Sequence, residues 1–230
     1  MAWPPVMAAT DNGDVLFLLS GASGSGKSTL ASAVRDRVDD LTVHELGELA
    51  DRPWHGEPGY VYRREPVERA LARAREYERS GADLLFTEGV LGELLAAPSA
   101  TEVDGIAACL VDCDDDERLR RLRARDDGRV GDPHQLWDHL AWALWLRRHS
   151  IDPQTFSGPI RGDGDATWAW ERWERWQAGD PRWTTFVLDT TDETVDVSAD
   201  RLAAWVTEQR RLRAEGRLPR SGRWWDGPGD

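Results

Sequence analysis

One eight-residue run, Gly21-Ala22-Ser23-Gly24-Ser25-Gly26-Lys27-Ser28, constrains this chain more than any other feature. It fits G-x-x-x-x-G-K-[ST] in full. Glycines at these places let the backbone curl until successive N–H groups point inward, and a helix opening at Lys27 adds unpaired amides and a positive dipole end. The flanks supply the context such a loop needs, since residues 15–19 read as a short buried strand and 27–38 as a helix. Lys27 is the only lysine in the chain, and it falls where the pattern demands one. The expected ligand is ATP or GTP with Mg2+. Gly21, Ala22, Ser23, Gly24, Ser25, Gly26, Lys27, Ser28 and Thr29 are expected to hold the phosphates, with Lys27 bridging the β- and γ-phosphates and the Ser28 hydroxyl ligating the metal.

Strand and helix patterns alternate along the rest of the chain. Strands are expected over 41–45, 83–87, 106–111 and 184–188. A long charged helix is expected over 61–80, with Val67, Leu71, Ala74 and Tyr77 inward and Gly81 ending it. Further helices are expected over 114–125, 134–149, 168–177 and 197–215. Pro and Gly punctuate 52–60, which reads as an excursion over the active-site face. The fold class predicted is α/β, a three-layer P-loop NTPase fold with a mostly parallel five-stranded sheet and helices on both faces. The expected organisation is one domain over 1–218, with a tryptophan-rich helical insertion at about 126–182, and a C-terminal tail over 219–230. Ligands of such sheets bind at the carboxyl ends of the strands. The third strand runs out into Thr87-Glu88-Gly89, similar to a Walker B strand, which would set Glu88 beside the magnesium or its water.

Composition narrows the alternatives. A net charge of -13 and a pI near 4.9 argue against wrapping nucleic acid, which needs a basic surface. No apolar run approaches a membrane span, and the first residues carry no basic-then-apolar leader, so a cytoplasmic location is expected. Cys109 and Cys113 share one extended stretch, CLVDC, and stand roughly 13 Å apart there, too far for a disulfide. They read as small buried residues. The histidines show no metal-ligand spacing.

The phosphate loop resembles that of the P-loop small-molecule kinases, the nucleoside and nucleoside-monophosphate kinase superfamily, with local echoes of uridine kinases. Those echoes are GASGSGKST, the Glu88-Gly89-Val90-Leu91 stretch, and the arginine helix Asp116-Glu117-Arg118-Leu119-Arg120-Arg121 running on to Arg125-Asp126. Departures follow the second strand, where His44-Glu45-Leu46-Gly47-Glu48 stands in place of an aspartate followed by aromatics, and beyond Asp126 the match stops. The whole-chain pattern is similar to kinase-like proteins described only as AAA-type ATPases. The resemblance implies ATP as the nucleotide; no segment matches the guanine-reading Asn-Lys-x-Asp pattern. It also implies an arginine lid on the phosphates from Arg118, Arg121 and Arg125, which share one helical face. The acid that accepts the acceptor's proton is implied just after the second strand, on Glu45 or Glu48, with Asp51 a weaker candidate.

Of the 13 tryptophans, eight lie between Trp137 and Trp183. Several are one helical turn apart, and the expectation is that they pack two helices onto the core, with a few of them, or His139 or Arg147, lining an acceptor pocket. The expected activity is transfer of the ATP γ-phosphoryl group to a small-molecule hydroxyl or phosphate, nucleoside- or nucleotide-like. The alternative is an NTPase or switch acting on a protein partner. Oligomeric state is not legible in the sequence.

Overall fold

The computed structural model describes residues 15–125, 133–162 and 166–226. In chain order the elements are β1 (Leu16–Ser20), α1 (Lys27–Val34), β2 (Leu41–Glu45), α2 (Leu46–Leu49), α3 (Gly59–Glu78), β3 (Asp83–Thr87), α4 (Leu91–Ala96), β4 (Ile106–Asp112) and α5 (Asp115–Ala124). There follow α6 (Pro133–Ile151), α7 (Gly158–Arg161), β5 (Phe186–Asp189) and α8 (Val195–Ala214). All five strands run parallel in the order β2-β3-β1-β4-β5, with β1 central.

Alternation of side chains along the strands divides the core. Leu16, Leu18, Leu84, Phe86, Ile106, Ala108 and Leu110 face one way and pack with α3, α4 and the tryptophans. Phe17, Leu19, Leu85, Ala107, Cys109, Val111 and Leu188 face the other way, under α1 and α8. Strands covered on both faces carry continuous apolar runs, and β1 and β3 are buried throughout. Val67, Leu71 and Ala74 are buried beneath α3, and Tyr77 packs at the margin. Cys109 lies in β4 and Cys113 just beyond it; both are free and buried.

Three expectations need correction. The helix α1 stops at Val34 rather than 38, because the chain turns there and Arg37 reaches across to Asp196 and Asp200 on α8. The helix α4 is absent from the sequence reading: all six of its residues are buried, so it shows no polar face to mark a helical period. The segment 168–177 is not a helix beyond one 3-10 turn at Trp170–Arg172. Trp168, Trp170, Trp173 and Trp176 are all buried, whereas a regular helix would turn Trp168 and Trp170 about 200° apart. The chain winds irregularly so that every indole enters the core.

The C-terminal segment packs onto the sheet. Ile106 N–H donates to the Arg220 carbonyl. The buried Arg220 guanidinium donates to the carbonyls of Ile106, Arg182 and Thr184, and burial pushes its pKa down to about 10. Trp224 is buried against Trp176. Residues 126–132 of the expected insertion, Asp126 among them, lie outside the described residues. Among the described residues no helix is long and apolar enough to cross a membrane.

His149 on α6 centres the aromatic layer. It stacks on Trp145 at 4.5 Å and meets Trp183 edge-on at 4.9 Å, while its Nε2 accepts the Gly92 N–H and its carbonyl accepts the Trp183 indole N–H. Burial holds its pKa down at about 3. Between that value and its ordinary pKa the unfolded chain binds a proton that the native state refuses, so stability falls as pH drops through this window. The His149 contribution between pH 7 and pH 5 is a loss of about 2 kcal/mol. Urea denaturation at both pH values should show His149→Gln losing less stability than the wild type by roughly that difference.

Candidate nucleotide site

The phosphate loop bridges β1, the central strand, and α1, so its amides stand at the carboxyl edge of the sheet. A Cβ at Gly21 would lie 2.5 Å from the Val111 carbonyl oxygen, so the loop passes too close to β4 for any side chain. Gly24 has φ +83° and rests on the Arg118 side chain, where a Cβ would come within 3.1 Å. Gly26 caps α1 with φ 95°. Ser25 Oγ is buried with no hydrogen-bond partner among the described residues, a polar atom suited to an anionic oxygen in the loop. Ser28 and Thr29, in the first turn of α1, are exposed.

Lys27 is only 8% exposed, and burial lowers its pKa, opposed chiefly by the Glu88 carboxylate and further modulated by Arg125, Glu45 and Arg118. Its Nζ lies 3.7 Å from Glu88 Oε1. Glu88 sits just past β3 with φ 71°, a left-handed conformation uncommon outside glycine, and its N–H donates to the Leu19 carbonyl of β1. Glu45, at the end of β2, is a further carboxylate close enough to act on the Lys27 charge. Strand ends from β1, β2 and β3 thus bring Lys27, Glu45 and Glu88 together. Among the described residues no group of three or more His, Cys, Asp or Glu side chains could hold a metal by itself. A magnesium ion at Ser28 and Glu88 would take its remaining ligands from phosphate and water, which is how this ion is commonly bound.

The carboxylates expected to serve an acceptor are engaged locally. Glu45 and Glu48 form a reciprocal capping box at the start of α2, and Glu48 also lies 3.4 Å from His44 Nδ1. Asp51 is ion-paired with Arg69. On α6, Arg147 points to Asp112 and Asp115.

Arg118 and Arg121 of α5 and Arg125 just past its end lie in three different situations. Arg118 is wholly buried, and its guanidinium donates to the Ser23 carbonyl at 2.9 Å and to Asp112 Oδ1 at 2.5 Å. It holds the phosphate loop from behind. Arg121 is half-buried, donating to the Ser25 carbonyl at 3.2 Å, Thr190 Oγ1 at 2.9 Å and the Thr190 carbonyl at 2.6 Å, with Glu117 on its Nε. Arg125 is exposed.

Beside the loop opens a cavity of about 650 Å³, walled by Gly24, Gly26 and Thr29, by Arg120, Arg121 and Arg125, and by residues 190–195 after β5. Reading the sequence does not find this last wall. The only signal for it is position, since 190–195 follow a strand's carboxyl end in an α/β sheet. Thr190 ties that wall to the loop, its hydroxyl donating to the Ser25 carbonyl at 2.9 Å.

Central β1, the glycine-rich loop and the strand order β2-β3-β1-β4-β5 define a P-loop NTPase fold. No protein-family model matches the chain, and no curated protein matches it in sequence. Several solved structures are similar to it. A sugar kinase from Janibacter sp. HTCC2649 is 17% identical, covering 84% of this chain and 95% of its own, with a TM-score of 0.49. The tunicamycin resistance protein of Deinococcus radiodurans is 14% identical over 84% of this chain and 95% of its own, with a TM-score of 0.48. A gluconokinase from Sinorhizobium meliloti 1021 is 16% identical over 86% and 98%, with a TM-score of 0.43. Likenesses this distant say nothing about substrate.

The contrast between Arg118 and Arg125 is measurable. Removing the wholly buried Arg118 opens a cavity, takes the donors from the Ser23 and Cys113 carbonyls and leaves Asp112 to Arg147 alone, and Arg118→Ala should cost about 3 kcal/mol of stability in urea denaturation. Arg125→Ala, on an exposed side chain, should stay within about 0.5 kcal/mol of the wild type.

Proposed function

We propose that this chain is an ATP-dependent phosphotransferase acting on a small-molecule hydroxyl or phosphate acceptor. The observation that carries the reading is the buried Lys27 of the phosphate loop set beside the carboxylates of Glu88 and Glu45, with a roomy cavity opening against Gly24, Gly26 and Thr29 of the same loop and helix. The cavity has the size of ordinary small-molecule sites and takes the nucleoside part of ATP, between the α5 arginines and the 190–195 wall.

Within this reading the loop amides and Ser25 Oγ hold the phosphates, and Lys27 bridges the β- and γ-phosphates. Their negative charge favours the protonated amine that burial disfavours. Mg2+, held by Ser28 and Glu88, supplies neutralisation of phosphate charge. Arg125, whose charge reaches Lys27, helps neutralise the phosphates, while Arg121 braces the Ser25 carbonyl against Thr190. Arg118 is a positioning residue that fixes Ser23 and Gly24. Glu45 accepts the acceptor's proton, since of the two acids of the α2 capping box it is the one whose charge acts on Lys27. Such a site accelerates transfer by positioning and charge neutralisation, without a covalent enzyme intermediate.

ADP release from ATP and Mg2+ should be stimulated by one pool in a panel of nucleosides, nucleotides, sugars and aminoglycoside-like alcohols. Lys27→Ala should lose at least about 100-fold of that rate. Glu45→Gln keeps an acceptor for the α2 cap, and should lower kcat by about 100-fold or more with little change in KM for ATP. Steady ATP hydrolysis that no pool stimulates would instead support an NTPase acting on a protein partner.

A further inference from the structure

Among the described residues, the outward face of α6 is unpartnered. Its inner face carries Ala143, Leu146 and His149, all buried. Outward stand Trp137, Leu144 and Ile151, exposed by 70%, 48% and 66%. They stand at seven-residue intervals, so they recur about every 10.5 Å along the helix, each about 20° round from the next, with Trp137 and Ile151 about 40° apart. Apolar residues repeating every seven on one helix face supply one of the two positions that make up the seam of a helix pair.

The stripe is symmetric about Leu144. If a second α6 lies antiparallel across a two-fold axis at Leu144, each Trp137 meets the Ile151 of the other copy and each Leu144 meets its counterpart. Large then packs against small at both ends. The charges obey the same symmetry. Asp138 and Arg148 lie on the same flank of the stripe, and a two-fold rotation brings Asp138 of one copy within about 3 Å, along the axis, of the level of Arg148 of the other. Both side chains are exposed, and among the described residues neither has an ion-pair partner within its own chain. Ala141, small and exposed on that flank, leaves room for the arginine stem. One helix face thus offers apolar self-complementarity and two cross-axis ion pairs, as an isologous interface requires.

We propose that the protein forms a two-fold dimer through antiparallel packing of α6, centred on Leu144. Sedimentation equilibrium of the full chain over about 1 to 100 μM should show a reversible dimer. Leu144→Glu sets two carboxylates against each other on the axis and should raise the dissociation constant at least about 30-fold. Asp138→Arg and Arg148→Asp should each weaken the dimer, and the double exchange should restore it. Leu144→Cys should cross-link to itself on oxidation, whereas Ile151→Cys should not; the two native cysteines are buried. All these positions are exposed, so unchanged far-UV circular dichroism will show that each variant folds. A monomer at every concentration, a dimer indifferent to Leu144→Glu, or a charge exchange without rescue would each overturn the proposal. Lys27→Ala should leave dimerisation unchanged, so this test is separable from that of phosphoryl transfer.

Discussion

The buried guanidinium of Arg118 is the interaction on which the site's geometry rests. A phosphate loop is backbone with few side chains of its own, and within residues 21–26 the curl is closed by the Ser25 N–H donating to the Ala22 carbonyl at 3.2 Å. Arg118 holds the loop from outside, through the Ser23 carbonyl, the Cys113 carbonyl and Asp112. Asp112 also accepts from Arg147, whose helix carries the aromatic layer. The loop, the end of β4, α5 and α6 are therefore joined through one carboxylate. Burying charge is costly unless each group is paired and hydrogen-bonded, and here the network is nearly complete, with only Arg118 Nε left without a partner among the described residues. Its effect is to make the position of Ser23 and Gly24 depend on the packing of two helices rather than on the loop alone.

The same economy shows in how charge is distributed. The chain carries a net charge of -13, yet Lys27, Arg118, Arg121 and Arg125 converge on the carboxyl end of the sheet. Because Lys27 is buried, its positive charge is costly without a counter-ion, and Glu88 is the partner the sheet provides. Glu88 reaches it only by adopting φ 71°, a conformation that L residues hold when surrounding structure requires it. The cost of that backbone is offset by a carboxylate placed against the one lysine. A bound polyphosphate would compete for the same amine, so Glu88 is free to change partners when the site fills.

Legibility in the sequence followed burial and period. The strands β2 and β3 have the bounds that their apolar runs imply, and the phosphate loop is where its glycines and lysine put it, because backbone chemistry of that kind is local. The arginine helix was legible as a helix, but its three arginines could not be told apart. A helical face at i, i+3 and i+7 gives direction only, and what separates Arg118 from Arg125 is the depth of the neighbouring elements. The 190–195 wall has no motif at all; it is made by where β5 ends. Nor could Glu45 and Glu48 be separated by spacing, since both belong to one capping box and only the proximity of Glu45 to Lys27 distinguishes them.

The tryptophans explain why one face of the sheet is harder to read than the phosphate loop. The surroundings of the loop are made of backbone and arginines on or beside regular elements. On that face of the sheet, Trp168, Trp170, Trp173, Trp176 and Trp183 fill the layer that two further helices would otherwise occupy, and His149 links α6 into it. Large flat side chains bury much area per residue, so a short irregular segment suffices to seal that face. Irregular chain has no period, and the side chains it leaves beside α3 and α6 follow from packing alone. Arg63 illustrates this: it is held by Glu93 at 2.7 Å and lies 5.3 Å from the Trp142 ring, a setting assembled from three elements distant in sequence. That face of the sheet is a surface shaped by indole packing, set by the same contacts that stabilise the fold.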